Sequence, residues 1–140
     1  MSTTLIKSEN VQRKWFLVDA TAQPAGRLAV KIANVLRGKN RPDFTPSADN
    51  GGFVIVINAE KVKLTGNKDA GKIYKKYSGF PGGLKLETAA EIRQRDPMRI
   101  VRQAVAGMLP RNKSRLAQLT RLKIFVGPEH THKSQQPQPI

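Results

Sequence analysis

The sequence predicts an α/β domain built on a small parallel sheet. Two short apolar runs of strand composition, Trp15-Phe16-Leu17-Val18 and Phe53-Val54-Ile55-Val56-Ile57, flank a segment whose apolar residues recur at helical spacing. Strand, helix, strand in this order implies a right-handed parallel βαβ unit. A chain of 140 residues is one domain of ordinary size, long enough to bury a core. Its hydrophobic share of 39% is below that of an average globular protein but above the disordered class. Some loops or tails are therefore expected to order only against a partner.

Taken in order, residues 1–12 are polar and are expected to form a flexible extension ahead of a domain at 13–128. The first strand ends at Asp19, and Pro24 suits the first turn of a helix. From Ala25 to Arg37, Leu28, Ile32, Val35 and Leu36 make the apolar stripe; Arg27, Lys31 and Arg37 lie largely off it, and Gly38 supplies the stop. The run Phe53–Ile57 is apolar without alternation, so both of its faces should be covered. Residues 59–86 then turn to Lys, Gly and Tyr and read as loop. Thr88 and Glu91 form a capping box for a short helix that ends before Pro97. Asp96-Pro97 reads as the cap and first residue of a further helix reaching Leu109, with Val101, Val105 and Met108 as its stripe, and with Arg99, Arg102 and Gln103 turned away. Leu122-Lys123-Ile124-Phe125-Val126 reads as the last strand, broken by Gly127-Pro128. The tail 129–140 is rich in Gln, Pro, His and Lys, and no packed structure is expected there.

Charge narrows the function. The 25 Lys+Arg against 10 Asp+Glu give a net charge of +15. Between Asp96 and Glu129 no carboxylate occurs, while Arg99, Arg102, Arg111, Lys113, Arg115, Arg121 and Lys123 do. An ordinary soluble surface mixes both signs, so a one-sign stretch calls for a polyanion, of which nucleic acid is the commonest. Cysteine is absent, which excludes disulfides and thiolate metal sites. No apolar run is long enough to cross a bilayer, and Met1–Asn10 is not a signal peptide; a reducing, cytoplasmic setting is the expectation.

Gly66-Asn67-Lys68-Asp69-Ala70-Gly71-Lys72 fits the first seven places of a phosphate-binding P-loop, but the magnesium-binding Ser or Thr is replaced by Ile73, and no long helix follows. His130 and His132 lie in the tail with only Glu129 nearby, too few ligands for a structural metal site. Polar contacts to RNA or plain solvent exposure suit them better. No cysteine nucleophile exists, and the scattered carboxylates assemble no acid–base pair. The segment Lys72 to Gly83 carries more. Lys72, Lys75 and Lys76 alternate with Tyr74, Tyr77 and Phe80, followed by Pro81-Gly82-Gly83. Lysines neutralise phosphates, aromatic rings stack on unpaired bases, and glycines let backbone approach a sugar–phosphate chain. Arg37, Lys39 and Arg41 make a second basic loop. Arg111, Asn112, Lys113 and Arg115 make a third, where the planar arginine fork suits phosphate.

These residues also form an ordered series. It comprises Gly26-Arg27-Leu28-Ala29, Leu36-Arg37-Gly38-Lys39, Val56-Ile57-Asn58-Ala59-Glu60-Lys61, Leu64-Thr65-Gly66-Asn67-Lys68, Ser78-Gly79-Phe80-Pro81-Gly82-Gly83 and Gly107-Met108-Leu109-Pro110-Arg111-Asn112. It closes with Leu122-Lys123-Ile124-Phe125 and Gly127-Pro128-Glu129-His130. In this the chain resembles the L-thirteen family of bacterial large-subunit ribosomal proteins, from about Trp15 to Pro137. The resemblance implies a three-layer α/β fold around a small, mainly parallel sheet, binding of 23S ribosomal RNA early in large-subunit assembly, and no catalysis or cofactor. Two positions depart from the family pattern. Ser114-Arg115-Leu116 stands where a Leu-Gly-Arg element is usual, and Tyr77 stands where His is common, which keeps stacking but loses an imidazole.

The sequence therefore reads as a structural RNA-binding protein of the large ribosomal subunit, with 23S rRNA and neighbouring ribosomal proteins as partners. No metal, membrane, small-molecule substrate or homo-oligomer is expected. The candidate RNA contacts are Arg37, Lys39, Arg41, Lys68, Lys72, Tyr74, Lys75, Lys76, Tyr77, Ser78, Gly79, Phe80, Gly82, Gly83, Arg99, Arg102, Arg111, Asn112, Lys113, Arg115, His130 and His132. The rival reading is a nucleotide- or nucleic-acid-processing α/β enzyme using Gly66–Lys72 or a carboxylate such as Asp49.

Overall fold

Alternation along the first strand, β1 (Trp15–Asp19), sends Phe16 and Val18 to one side and Trp15 and Leu17 to the other; β2 (Phe53–Ile57) divides likewise. The two strands pair in parallel, Trp15 opposite Phe53 through Asp19 opposite Ile57. The computed structural model describes residues 6–140, so part of the expected N-terminal extension lies outside the described residues. Between the strands runs α1 (Ala25–Arg37), which buries Leu28, Ile32, Val35 and Leu36 and ends on Gly38 in the left-handed conformation, as the sequence predicts.

The remaining elements follow in order: α2 (Lys68–Gly71), β3 (Ile73–Tyr77), β4 (Leu84–Thr88), α3 (Ala89–Arg95), α4 (Pro97–Met108), α5 (Ser114–Thr120), β5 (Leu122–Ile124) and β6 (Gln138–Pro139). The main sheet has 4 strands in the order β5-β2-β1-β6, all parallel. Its helix-covered face supplies Val18, Val54, Val56 and Leu122 to a core shared with α1 and with Val101, Val105 and Leu109 of the α4 region. The α/β fold around a mainly parallel sheet matches the expectation.

Four details differ. Residues 73–88 are an antiparallel hairpin, not loop, with Ile73 opposite Thr88 and Tyr77 opposite Leu84. The basic run after Pro110 passes into α5, a helix of 7 residues too short to show a period in the sequence. On α4, Met108 is 41% exposed while Leu109, just past the helix end, is buried in its place. The tail, expected to lack packed structure, returns to the sheet: Gln138 and Pro139 pair beside Phe16 and Leu17, and the Ile140 amide donates to the Leu17 carbonyl at 3.0 Å. Proline survives there because β6 is an edge strand that needs few donors.

The returning tail also covers the second face of the sheet. Trp15 and Phe53 stack with ring centroids 4.2 Å apart, His132 lies 5.2 Å from Trp15, and Phe125 approaches both His130 and His132. Ile55, on this face by alternation, is fully buried. Helices, sheet and returning tail make the three layers.

Candidate nucleic-acid interface

The hairpin projects from a satellite core in which Tyr74 packs with Ala89, Ile92 and Ile100. The capping box predicted at Thr88 and Glu91 is present: Thr88 Oγ1 accepts from the Glu91 amide and Glu91 Oε2 from the Thr88 amide. It starts α3 directly from the end of β4, which orients the hairpin against α3 and α4. Tyr74 is therefore a core residue at 5% exposure, not a stacking platform, and Lys72 Nζ sits 5.1 Å over its ring. Tyr77 and Phe80, in contrast, are 65% and 73% exposed.

Register decides what the hairpin presents. On one face Lys76 stands directly opposite Lys85, a pairing of like charges that costs stability in a free hairpin. The carboxylate on that face, Glu87, is already held by Arg95 and by Arg99 at 2.7 Å. These hydrogen bonds, Arg95 first, hold Glu87 below the usual carboxylate range. Arg99 is thus half-buried in an ion pair, whereas Arg102 is exposed. The other face carries Ile73, Leu84 and Leu86, all more than half exposed, with Lys75 and Tyr77. At the tip, Gly79 (φ 91°) and Gly82 (φ 70°) take left-handed conformations, and the Ser78 amide donates to the Gly83 carbonyl at 3.2 Å. Lys85 is not among the basic residues the sequence singles out; only the strand register places it opposite Lys76.

The loop after α1 is tied to its neighbours by its own arginines. Arg41 forks onto Asp43, with Nε–Oδ1 and Nη2–Oδ2 both at 2.9 Å, and donates through Nη1 to the Gln12 carbonyl. Arg37 lies 6.0 Å over the Phe44 ring, and Lys39 is exposed. Beyond the loop, Arg121 is 6% exposed and meets both Asp49 oxygens at 2.7 Å and the Leu36 carbonyl at 3.0 Å. Arg13 adds bonds to the carbonyls of Gly51 and Asp49. Gly51 approaches Leu36 so closely that a Cβ there would lie 1.8 Å from the Leu36 carbonyl oxygen. Asp49 is therefore a structural anion in place of a catalytic one.

In the third basic segment, Arg111, Asn112 and Lys113 are exposed and Arg115 is half-buried on α5. This segment leads through α5 into the amino end of β5, beside the parallel β2 whose amino end the Arg37–Arg41 loop precedes, whereas the hairpin follows the carboxyl end of β2. His130 and His132 are half-buried against aromatic rings, a correction to their expected exposure. No group of three or more His, Cys, Asp or Glu stands close enough to hold a metal ion among the described residues. The segment Gly66–Lys72 forms a helix of only 4 residues that leads straight into β3, without the long helix a P-loop requires.

Ion pairing separates the two basic residue types. Every salt bridge among the described residues uses an arginine: Arg13, Arg41, Arg93, Arg95, Arg99 and Arg121. No lysine is among them. The sequence matches the family model described as Ribosomal protein L13 across residues 13–131. The chain belongs to the ribosomal protein L13 family. It is 53% identical over 140 residues to the large ribosomal subunit protein uL13 of Synechococcus sp. (strain RCC307), spanning 99% of this chain and 93% of that relative. The protein of the same name from Halorhodospira halophila is 49% identical over 140 residues, spanning 100% and 99%. That from Thermotoga petrophila is 49% identical over 138 residues, spanning 99% and 93%. The L13 family is one of structural ribosomal proteins, not of enzymes. No helix of the described residues is long and apolar enough to cross a membrane.

Proposed function

We propose that this chain is a structural constituent of the large ribosomal subunit that binds 23S rRNA, aids its early assembly, and works in the cytoplasm beside other large-subunit proteins. The reading draws on relatives that carry the large-subunit name over nearly their whole length. The observation that carries it is the hairpin face on which Lys76 opposes Lys85, with Glu87 already engaged by two arginines. Such a face is destabilising alone and favourable against phosphate.

The mechanism is neutralisation plus shape. The exposed contacts are Lys39, Lys68, Lys72, Lys75, Lys76, Lys85, Arg102, Arg111 and Lys113, while Tyr77 and Phe80 offer ring faces to unpaired bases. Because the basic segments leave the fold at different places, one domain bridges several RNA segments and reduces their mutual repulsion. Filter binding against large-subunit rRNA fragments and a matched DNA duplex, at two salt concentrations, tests this. Neutralising about six phosphates gives a slope of log K against log salt of roughly −4 to −5, with fragment-selective binding at the higher salt. Equal, salt-erased binding to every polyanion would contradict it.

A further inference from the structure

Three glycines from three elements, Gly26 of α1, Gly71 of α2 and Gly107 of α4, line one open groove of about 690 Å³. A Cβ on any of them would meet nothing within 4 Å, and none of the three has a positive φ. Neither packing nor backbone conformation therefore requires glycine there. Glycine is nonetheless the poorest helix former after proline, and Gly26 and Gly107 sit within helices. Gly26 is the second residue of α1 and Gly107 the last but one of α4, and the common result of their missing side chains is a groove with bare walls. Close approach of another chain's backbone is the use such walls serve.

The charge of the groove selects the occupant. Lys68 and Lys72 line it, and an adjoining depression that shares Ala25, Gly26, Leu64 and Lys68 adds Arg27 and Lys63. No carboxylate lines either depression. Asn67 and Gln103 offer donors and acceptors suited to ribose hydroxyls and base edges, and Met108, turned out of the core, gives an apolar contact. We infer that this groove seats the sugar–phosphate edge of one RNA strand, a contact separate from the hairpin. The inference rests on the RNA-binding reading above.

Leucine at the helix positions fills the groove, favours the helix and removes no charge. Gly107→Leu and Gly26→Leu should melt no lower than the parent and bind a large-subunit rRNA fragment at least tenfold more weakly. Because the chain has no cysteine, Gln103→Cys gives a unique tether for a hydroxyl-radical source, which should cut the bound fragment in one discrete stretch. Parent-like affinity of both leucine variants, or absent or uniform cutting, overturns the groove. If the hairpin variant Lys76→Ala/Lys85→Ala is weakened in the same assay, the RNA-binding reading survives that loss. If the parent itself binds rRNA no better than duplex DNA, that reading fails and the groove with it. Protection of Cys-labelled groove by an acidic protein segment, with no effect of rRNA, also overturns the RNA occupant.

Discussion

The amino end of the sheet and the β3–β4 hairpin both carry dense positive charge, yet they use it in opposite ways. At the sheet, Arg121 is buried and spends its fork on Asp49 and the Leu36 carbonyl, Arg13 holds the Asp49 and Gly51 carbonyls, and Arg41 holds Asp43 and the Gln12 carbonyl. On the hairpin, Lys76 and Lys85 face each other and no described carboxylate pairs with either. The planar guanidinium can satisfy several fixed oxygens at once, whereas the compact ammonium stays hydrated and mobile until a phosphate meets it. Basic composition alone therefore does not mark an interface; the nearest carboxylate decides. Arg99 and Arg41 illustrate this, since both look like RNA contacts in sequence and both are committed to acidic partners.

Substitutions should separate the two regions. Val101→Asp places an unpaired charge in the core at 2% exposure and should cost more than about 4 kcal/mol, leaving no cooperative unfolding transition. A folded variant with parental melting would refute the helix register. Arg121→Ala strands Asp49 and the Leu36 carbonyl, and urea denaturation should show a loss of about 3 kcal/mol. A loss below about 0.5 kcal/mol, the size of an ordinary surface change, would make the buried pair dispensable. Lys75→Ala or Arg111→Ala should leave stability within about 0.5 kcal/mol while weakening RNA binding and lowering the salt slope by about 0.9 each. Unchanged affinity would remove those residues from the interface.

The smallest effect concerns pH. Asp19 is held below the usual carboxylate range by the Asn58 side chain first, then by the Thr21 amide and hydroxyl. A depressed folded value means its contribution is present above the unfolded pKa and is lost as pH falls through the folded one. Asp19→Asn should therefore lower stability at neutral pH, flatten the acid limb of the profile, and leave stability below the folded pKa little changed. An unaltered acid limb would show that the hydrogen bonds do not favour the charged form.

Legibility followed the strength of the local signal. The β1–α1–β2 unit was readable because its apolar runs are long, its stripe is periodic and Gly38 marks the stop; the capping box at Thr88 and Glu91 was readable because two side chains satisfy two amides. The hairpin was not, because Lys interrupts its apolar positions and Tyr74 alone packs inward. The tail was obscured by its own composition: Gln-Pro repeats look unstructured, and only the free edge of β1 gives them a place. For the interface, sequence located the basic segments but could not say which charges were internally paired. That depends on contacts between residues as distant as Asp49 and Arg121.

The most direct measurement is a salt titration of rRNA-fragment binding for the parent and for Lys76→Ala/Lys85→Ala, with melting temperatures recorded in parallel. Weaker binding, a slope shallower by about two, and a melting temperature no lower than the parent's are the predicted result. Unchanged affinity and slope with a lower melting temperature would make the two lysines structural, and would contradict the assignment of the hairpin face to RNA.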